Sequence, residues 1–267
     1  MRARHGIAEL ARGLLRDSAE NETLDSGYYA ACAGLRAQTQ ALEIIANNVA
    51  NVSTGGYRGQ QPLFRSLLAS SYGDMADPLN RAVNDFAVLG GSRIDLRAGN
   101  LERTGNALDM AIEGNGFFAI QRQGGNVYTR AGNFQVSPDG RLTTVSGDAV
   151  LGETGPITLP QGEIAIGPDG TLSVNGALAG KLRVVQFAPG SAPEAVGASY
   201  YALPDSAIQP AVGASVRQGM LESSNVSPMT AVVDLLMVER RAEMLERALT
   251  AFHSNLDHIA ANDLPHV

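Results

Sequence analysis

Asn47, Asn48 and Asn51 set three carboxamides within five residues, each able to donate and to accept hydrogen bonds. One asparagine is enough to close a helix, because it tolerates left-handed backbone and its amide can satisfy a loose end. Three leave two readings open: capping with solvent exposure, or amides that bond the backbone of a neighbouring molecule. The side chains that usually carry catalysis are scattered. His5, His253, His258 and His266 form no Glu-x-x-His or His-Glu-x-x-His pattern. Gly-x-Ser-x-Gly and the phosphate-binding Gly-x-x-x-x-Gly-Lys are absent. Gly114-x-Gly116 runs into Phe117-Phe118-Ala119-Ile120, a strand-like stretch where a dinucleotide site needs a helix. Asp139-Gly140 and Asp169-Gly170 lack the further carboxylates of a calcium loop. Cys32 is the single cysteine, so no internal disulfide and no Cys-based zinc site can form. The chain points away from an enzyme and calls for no cofactor or metal.

The asparagines sit at the exit of a helix read over 25–50, with Asp25 or Ser26 as its cap. Tyr28, Cys32, Leu35, Thr39, Leu42, Ala46 and Val49 alternate in steps of four and three, the spacing of a coiled-coil seam. A second such series lies at the other end: Ala231, Leu235, Val238, Ala242, Leu245, Leu249, Phe252, Leu256 and Ile259. Ser227 as N-cap with Pro228 in the first turn starts that helix. Glu243 and Arg247 add a favourable pair one turn apart on its outer face. A short helix is read around Leu63–Ser70, before a polar connector over 72–78.

Between the helices the period changes to two. Ile94, Leu96 and Leu101 suggest strands, and Ala107–Ile112, Phe117–Ile120, Tyr128–Arg130, Phe134–Val136 and Leu182–Phe187 follow. Val136-Ser-Pro-Asp-Gly-Arg-Leu-Thr-Thr144 and Ile166-Gly-Pro-Asp-Gly-Thr-Leu-Ser-Val174 repeat one turn, which suggests two similar hairpins in a meandering antiparallel sheet. Asn175-Gly176 reads as a further tight turn. The expected fold is α+β: long N- and C-terminal helices with coiled-coil seams flanking a mainly antiparallel β central domain. The expected divisions are 1–24, a leader or an extension that precedes the native start; 25–75, helix and connector; 76–225, a Gly-rich β domain; and 226–267, the C-terminal helix.

Composition narrows the partners. A net charge of −7 with no Lys/Arg cluster argues against nucleic acid. No apolar run approaches the ~20 residues of a membrane span. Residues 1–24 lack the continuous apolar core of a secretory signal.

Several motifs resemble one family. Ser26-Gly-Tyr-Tyr-Ala-Ala-Cys-Ala-Gly-Leu35, Ala46-Asn-Asn-Val-Ala-Asn51 and Thr54-Gly-Gly-Tyr-Arg58 are similar to the N-terminal signature of bacterial flagellar rod and hook proteins. Gly105-Asn-Ala-Leu-Asp-Met-Ala-Ile-Glu-Gly-Asn-Gly-Phe-Phe118, Tyr128-Thr-Arg-Ala-Gly-Asn-Phe134 and Ser137-Pro-Asp-Gly140 resemble its central motifs. Gly219-x-Leu-Glu-x-Ser-Asn-Val226 resembles the entry to its C-terminal helix. The resemblance implies a structural subunit that stacks helically with copies of itself and other rod subunits. It implies an inner tube of terminal helices around a central channel, and export through the flagellar type III apparatus without a cleaved signal. It places the subunit in the basal-body rod, within the periplasmic space. Length favours a rod over a hook member, and the short β region with the 99–106 run resembles a proximal-rod more than a distal-rod member; distal rod and hook stay open as alternatives. A secreted β-rich binding protein oligomerised by its helices is the alternative of another class. Family members begin near the position of Leu24, so the native start is expected there. A peptide from Ala8–Arg16 in purified basal bodies would contradict that. The residues expected to build the assembly are Leu35, Leu42, Asn47, Asn48, Val49, Asn51, Asn225, Leu235, Leu245, Leu249, Phe252 and Leu256.

Overall fold

The structure, a computed structural model, describes residues 31–65 and 88–263. The position of Leu24, the first turns of the expected N-terminal helix and the connector over 72–78 lie outside the described residues. Those described fall into two compact units. One comprises Ala46–Gln61 and Arg93–Val232; the other takes in the described parts of Met1–Ile45, Pro62–Ser92 and Val233–Val267.

The expectation of an α+β fold framed by long coiled-coil helices is corrected. The described chain is mainly β, with nineteen strands and two α-helices: α1 over 31–50 and α2 over Pro228–Asp263. The abundant turn residues between the helices cut this stretch into strands of two to seven residues. Every strand pairing with a described register is antiparallel, as expected. The first residues of the short helix expected at 63–70 belong instead to the strand Gln60–Arg65, and 66–70 lie outside the described residues.

The largest sheet has ten strands and is built around Phe117–Arg122, which pairs with Gly125–Thr129, Ala149–Gly152 and Val184–Phe187. Phe117 to Ile120 are buried without a break. Period-two geometry explains this, because successive side chains leave opposite faces of the sheet and both faces are covered. Phe118 and Ile120 join a core with Met110, Ile112, Phe134, Leu142 and Leu172. Phe117 and Ala119 join another with Tyr128, Leu151, Val185 and Tyr201. Phe117 stacks on Phe187 at 4.1 Å between ring centres, and Phe118 meets Phe134 edge-on at 5.1 Å.

The repeated Pro-Asp-Gly turns form two hairpins, as the sequence implies, but not one meander. Phe134–Val136 with Leu142–Thr144 belongs to the ten-stranded sheet. Ile164–Ile166 with Thr171–Val174 belongs to a separate three-stranded sheet, completed by Ala177–Lys181 across the Asn175-Gly176 turn. Asn175 and Gly176 have φ of 51° and 80°, the paired positive values of a tight two-residue hairpin.

In α2 the expected seam is the buried face: Ala231, Val238 and Leu245 are buried and Leu235, Ala242 and Leu249 half-buried. Ser227 starts the helix, its carbonyl accepting the Ala231 amide at 2.9 Å. The Glu243–Arg247 pair forms at 3.5 Å. In α1 the buried positions are Ala31, Gly34, Ala37, Ala41 and Ile45, one residue out of step with the expected seam. Small residues carry this face, while Leu35 and Leu42 flank it. Thr39 is exposed and donates its hydroxyl to the Leu35 carbonyl. Ala41, Ile45 and Val238 make a compact cluster with Leu42 and Leu235 packed against it. That patch replaces the expected continuous seam.

Candidate functional site

The segment leaving α1 turns sharply. The Asn51 amide bonds the carbonyls of Asn47 and Asn48, and the Thr54 amide bonds that of Asn51. The Asn51 side chain donates to the Asn47 backbone carbonyl and side-chain oxygen, and accepts from the Thr54 hydroxyl. Gly56 has φ of 69°, and its amide donates to the Glu222 carbonyl at 2.7 Å. The chain then runs inward, so that Tyr57 and Arg58 are both buried.

Arg58 meets a carboxylate shared with a second arginine. Its Nη2 donates to Glu222 Oε1, and Arg130 Nη1 donates to Glu222 Oε2 at 3.0 Å. The Gly99 amide also donates to Oε1, at 2.7 Å. Arg130 further donates to the carbonyls of Ile112 and Gly114 and lies over the Phe117 ring at 5.2 Å. All three charged side chains are withdrawn from water. Arg58 Nε and Nη1 meet no acceptor among the described residues. Burial lowers the Arg130 pKa, and the Glu222 charge opposes that shift.

Asparagines brace the rim. Asn48 accepts from the Gln60 amide at 2.8 Å and the Tyr57 hydroxyl at 3.0 Å, and donates to the Gln60 carbonyl at 2.7 Å. Asn225 accepts from the Gly59 amide at 2.8 Å and donates to the carbonyls of Asp95 and Arg97. The Arg58 amide donates to the Tyr201 hydroxyl at 2.9 Å. The Arg97 side chain, by hydrogen bonding, holds the Asp95 carboxyl below its usual range, with a smaller contribution from Arg58.

This is a clasp. It ties the exit from α1, the loop around 95–99, the strand end at Thr129-Arg130 and the run into α2 through one carboxylate. Its contacts join the segments from which both helices leave, all within one unit. Among the described residues no group of three or more metal-ligating side chains occurs, and no helix is long and apolar enough to cross a membrane.

Of the expected assembly residues, Asn48, Asn51 and Asn225 belong to the clasp and its turn, with their amides engaged inside the chain. Asn47 is exposed and Val49 half-buried. Leu42 and Leu235 come together, whereas Leu35, Leu245 and Leu249 lie along their helices outside that cluster. Phe252 and Leu256 fall on α2, with side chains outside the described residues. Sequence reasoning missed Arg58, Arg130, Glu222 and Tyr201. Three of these stood inside quoted motifs, and the available signal was a lone charge in each, beside Gly and aromatic residues for Arg58 and Arg130 and among apolar and small polar residues for Glu222.

Burial pushes the Tyr201 phenol strongly upward, and burial also raises those of Tyr57 and Tyr128. A phenol raised in the folded state stays neutral while the unfolded chain ionises above about pH 10, so stability falls as pH rises through that range. Tyr201→Phe is expected to flatten this alkaline loss, while lowering stability at neutral pH because the Arg58 amide loses its acceptor. Urea midpoints at pH 7, 9 and 11 check both parts.

Three family models match the chain. The Flagella basal body rod protein model covers residues 29–58, the Flagellar hook protein FlgE/F/G D1 domain model 111–174, and the Flagellar basal body rod FlgEFG protein C-terminal model 217–262. The flagellar basal-body rod protein FlgF of Salmonella typhimurium is 33% identical over 250 residues, covering 87% of this chain and 96% of that one. The family is thereby decided. This chain belongs to the flagellar basal-body rod proteins, of the FlgF type. The FlgF protein of Caulobacter vibrioides is 31% identical, over 85% of this chain and 93% of its own length. A rod protein named FlgG, from Agrobacterium fabrum, is 33% identical over 82% of this chain and 92% of its own. The rod-protein models fall on both sides of the clasp, with Arg58 the last residue of one match and Glu222 near the start of another.

Proposed function

We propose that this chain is a structural subunit of the bacterial flagellar basal-body rod, held in place by lateral packing of its terminal helices against neighbouring rod subunits and copies of itself. One observation carries the reading. Helix α2 has two apolar faces. At about 100° per residue, Ala231, Leu235, Val238, Ala242 and Leu245 share one side, and Met229, Val233, Leu236, Met237 and Met244 share the side roughly opposite, where they surround the single charge of Arg240. The first side is buried or half-buried and the second is exposed. A helix that serves one chain needs only one apolar face. A second face of this size fits a helix that packs into a lattice.

The clasp supports the same reading, because a lattice helix must leave its own subunit at a fixed angle. Asn48 and Asn225 then act on assembly by holding the helix roots, and Asn47, exposed at the end of α1, is placed to meet a neighbour. The finer assignments are a proximal position in the rod, a place in its periplasmic stretch, delivery by the flagellar export apparatus, and a share in torque transmission and in lining the export channel.

The test uses the full-length protein carrying Leu236→Glu. Its unfolding free energy is expected to stay within about 0.5 kcal/mol of wild type, because the residue is on the surface. Its recovery in purified basal bodies is expected to fall at least about tenfold, as a buried unpaired carboxylate forbids the contact. Normal recovery would remove the second face from the assembly.

A further inference from the structure

Three of the exposed residues on that second face are methionines. Met229 is 81% exposed, Met244 67% and Met237 49%. They stand at spacings of eight and seven residues, so all three lie on one side of α2. Met110, by contrast, is fully buried in the β core. A thioether is apolar and adapts its shape to an uneven partner, whereas its sulfoxide is polar and chiral. Among the described methionines, the same atoms that suit this face for packing are therefore the ones an oxidant reaches first.

We propose that Met229, Met237 and Met244 form a reversible oxidation site that sets whether α2 can pack. The reactant class is a peroxide. The sulfur lone pair attacks one peroxide oxygen, a sulfur–oxygen bond forms and the oxygen–oxygen bond breaks. The departing oxygen takes a proton and leaves as water or an alcohol. Sulfur is oxidised by two electrons and the peroxide is reduced. A methionine sulfoxide reductase returns the thioether: a pair of thiols supplies two electrons and two protons, is oxidised to a disulfide, and the sulfoxide oxygen leaves as water. The modified face carries three strong acceptors that water satisfies and an apolar neighbour does not, so the oxidised subunit stays out of the lattice. Once packed, the sulfurs are covered, so the site is open only before incorporation. This inference rests on the assembly role of α2 proposed above.

The experiment has two arms, both on the full-length chain. In the first, purified protein is titrated with hydrogen peroxide and its peptides are followed by mass spectrometry. Met229 and Met244 are expected to oxidise at least about tenfold faster than Met110, since susceptibility follows exposure. Equal rates would overturn the site. In the second, Met229→Gln/Met237→Gln/Met244→Gln mimics the sulfoxides and Met229→Leu/Met237→Leu/Met244→Leu removes the sulfurs. Both variants are compared with wild type for helix content and for recovery in purified basal bodies. Helix content is expected to be unchanged, with recovery lost in the glutamine variant and kept in the leucine variant. Full recovery of the glutamine variant would overturn the oxidation site while leaving the rod reading intact. Absence of the wild-type protein from basal bodies would instead overturn the rod reading.

Discussion

Gly56→Ala is expected to abolish stable folding of the clasp unit, with a loss of more than about 4 kcal/mol, while Gly55→Ala next to it changes stability by less than about 1 kcal/mol. The contrast follows from backbone geometry. Gly56 has φ of 69°, a conformation L side chains rarely adopt, and a Cβ there would lie 2.2 Å from the Ala131 nitrogen and 2.3 Å from the Arg130 carbonyl carbon. Backbone cannot step aside as a flexible side chain can. Gly55 has no positive φ, and a Cβ there would stand 3.5 Å from the Glu222 carbonyl oxygen, an ordinary contact. Guanidinium unfolding of both variants checks the pair. Equal stabilities would mean that the turn can be remade without its close approach to Arg130 and Ala131.

Glu222→Ala is the second large effect, expected to cost about 3–5 kcal/mol, because two buried guanidinium groups lose their only described carboxylate. The sign of the clasp's own contribution is a separate matter. Removing three charges from water is expensive, and Arg58 has N–H groups without acceptors among the described residues. Replacing the set together, as Arg58→Met/Arg130→Met/Glu222→Leu, is therefore expected to recover at least half of that loss. It does not recover all, since the carbonyls of Ile112 and Gly114 lose the Arg130 donor. Urea unfolding of the single and triple variants is the measurement. A triple variant as unstable as Glu222→Ala would show that the ion set stabilises the fold outright. If the triple variant folds but enters basal bodies poorly, the charges serve to fix the helix roots.

Much of this was legible in the residues. The Ser227-Pro228 start, the buried face of α2 and the repeated Pro-Asp-Gly turns are local features, and each forms as its spacing implies. The N-terminal seam misled because α1 carries two apolar series one residue apart. The bulkier one, Leu35 with Leu42, attracts the eye, while the one that packs is alanine and glycine up to its last turn, where Ile45 closes it. Small residues permit close approach, which hydrophobicity alone does not weigh. Burial of Ala111 and Ala119 was equally hidden, because nothing local says that both faces of a sheet are covered. The clasp was illegible for a third reason. Arg58 and Glu222 are separated by 164 positions, so no window of sequence holds both. Asn48 and Asn225 show the limit of residue type: the motif singles them out, but their partners are set by tertiary structure.

The long reach between Arg58 and Glu222 also orders events in time. A polypeptide that emerges amino end first, from a ribosome or a narrow conduit, has exposed its first sixty residues long before the glutamate arrives. Until then Arg58 has no counter-charge there and the Gly56 amide has no carbonyl to bind. The knot can be tied only when about four-fifths of the chain is out, so this tie between the two helix roots is among the last to form.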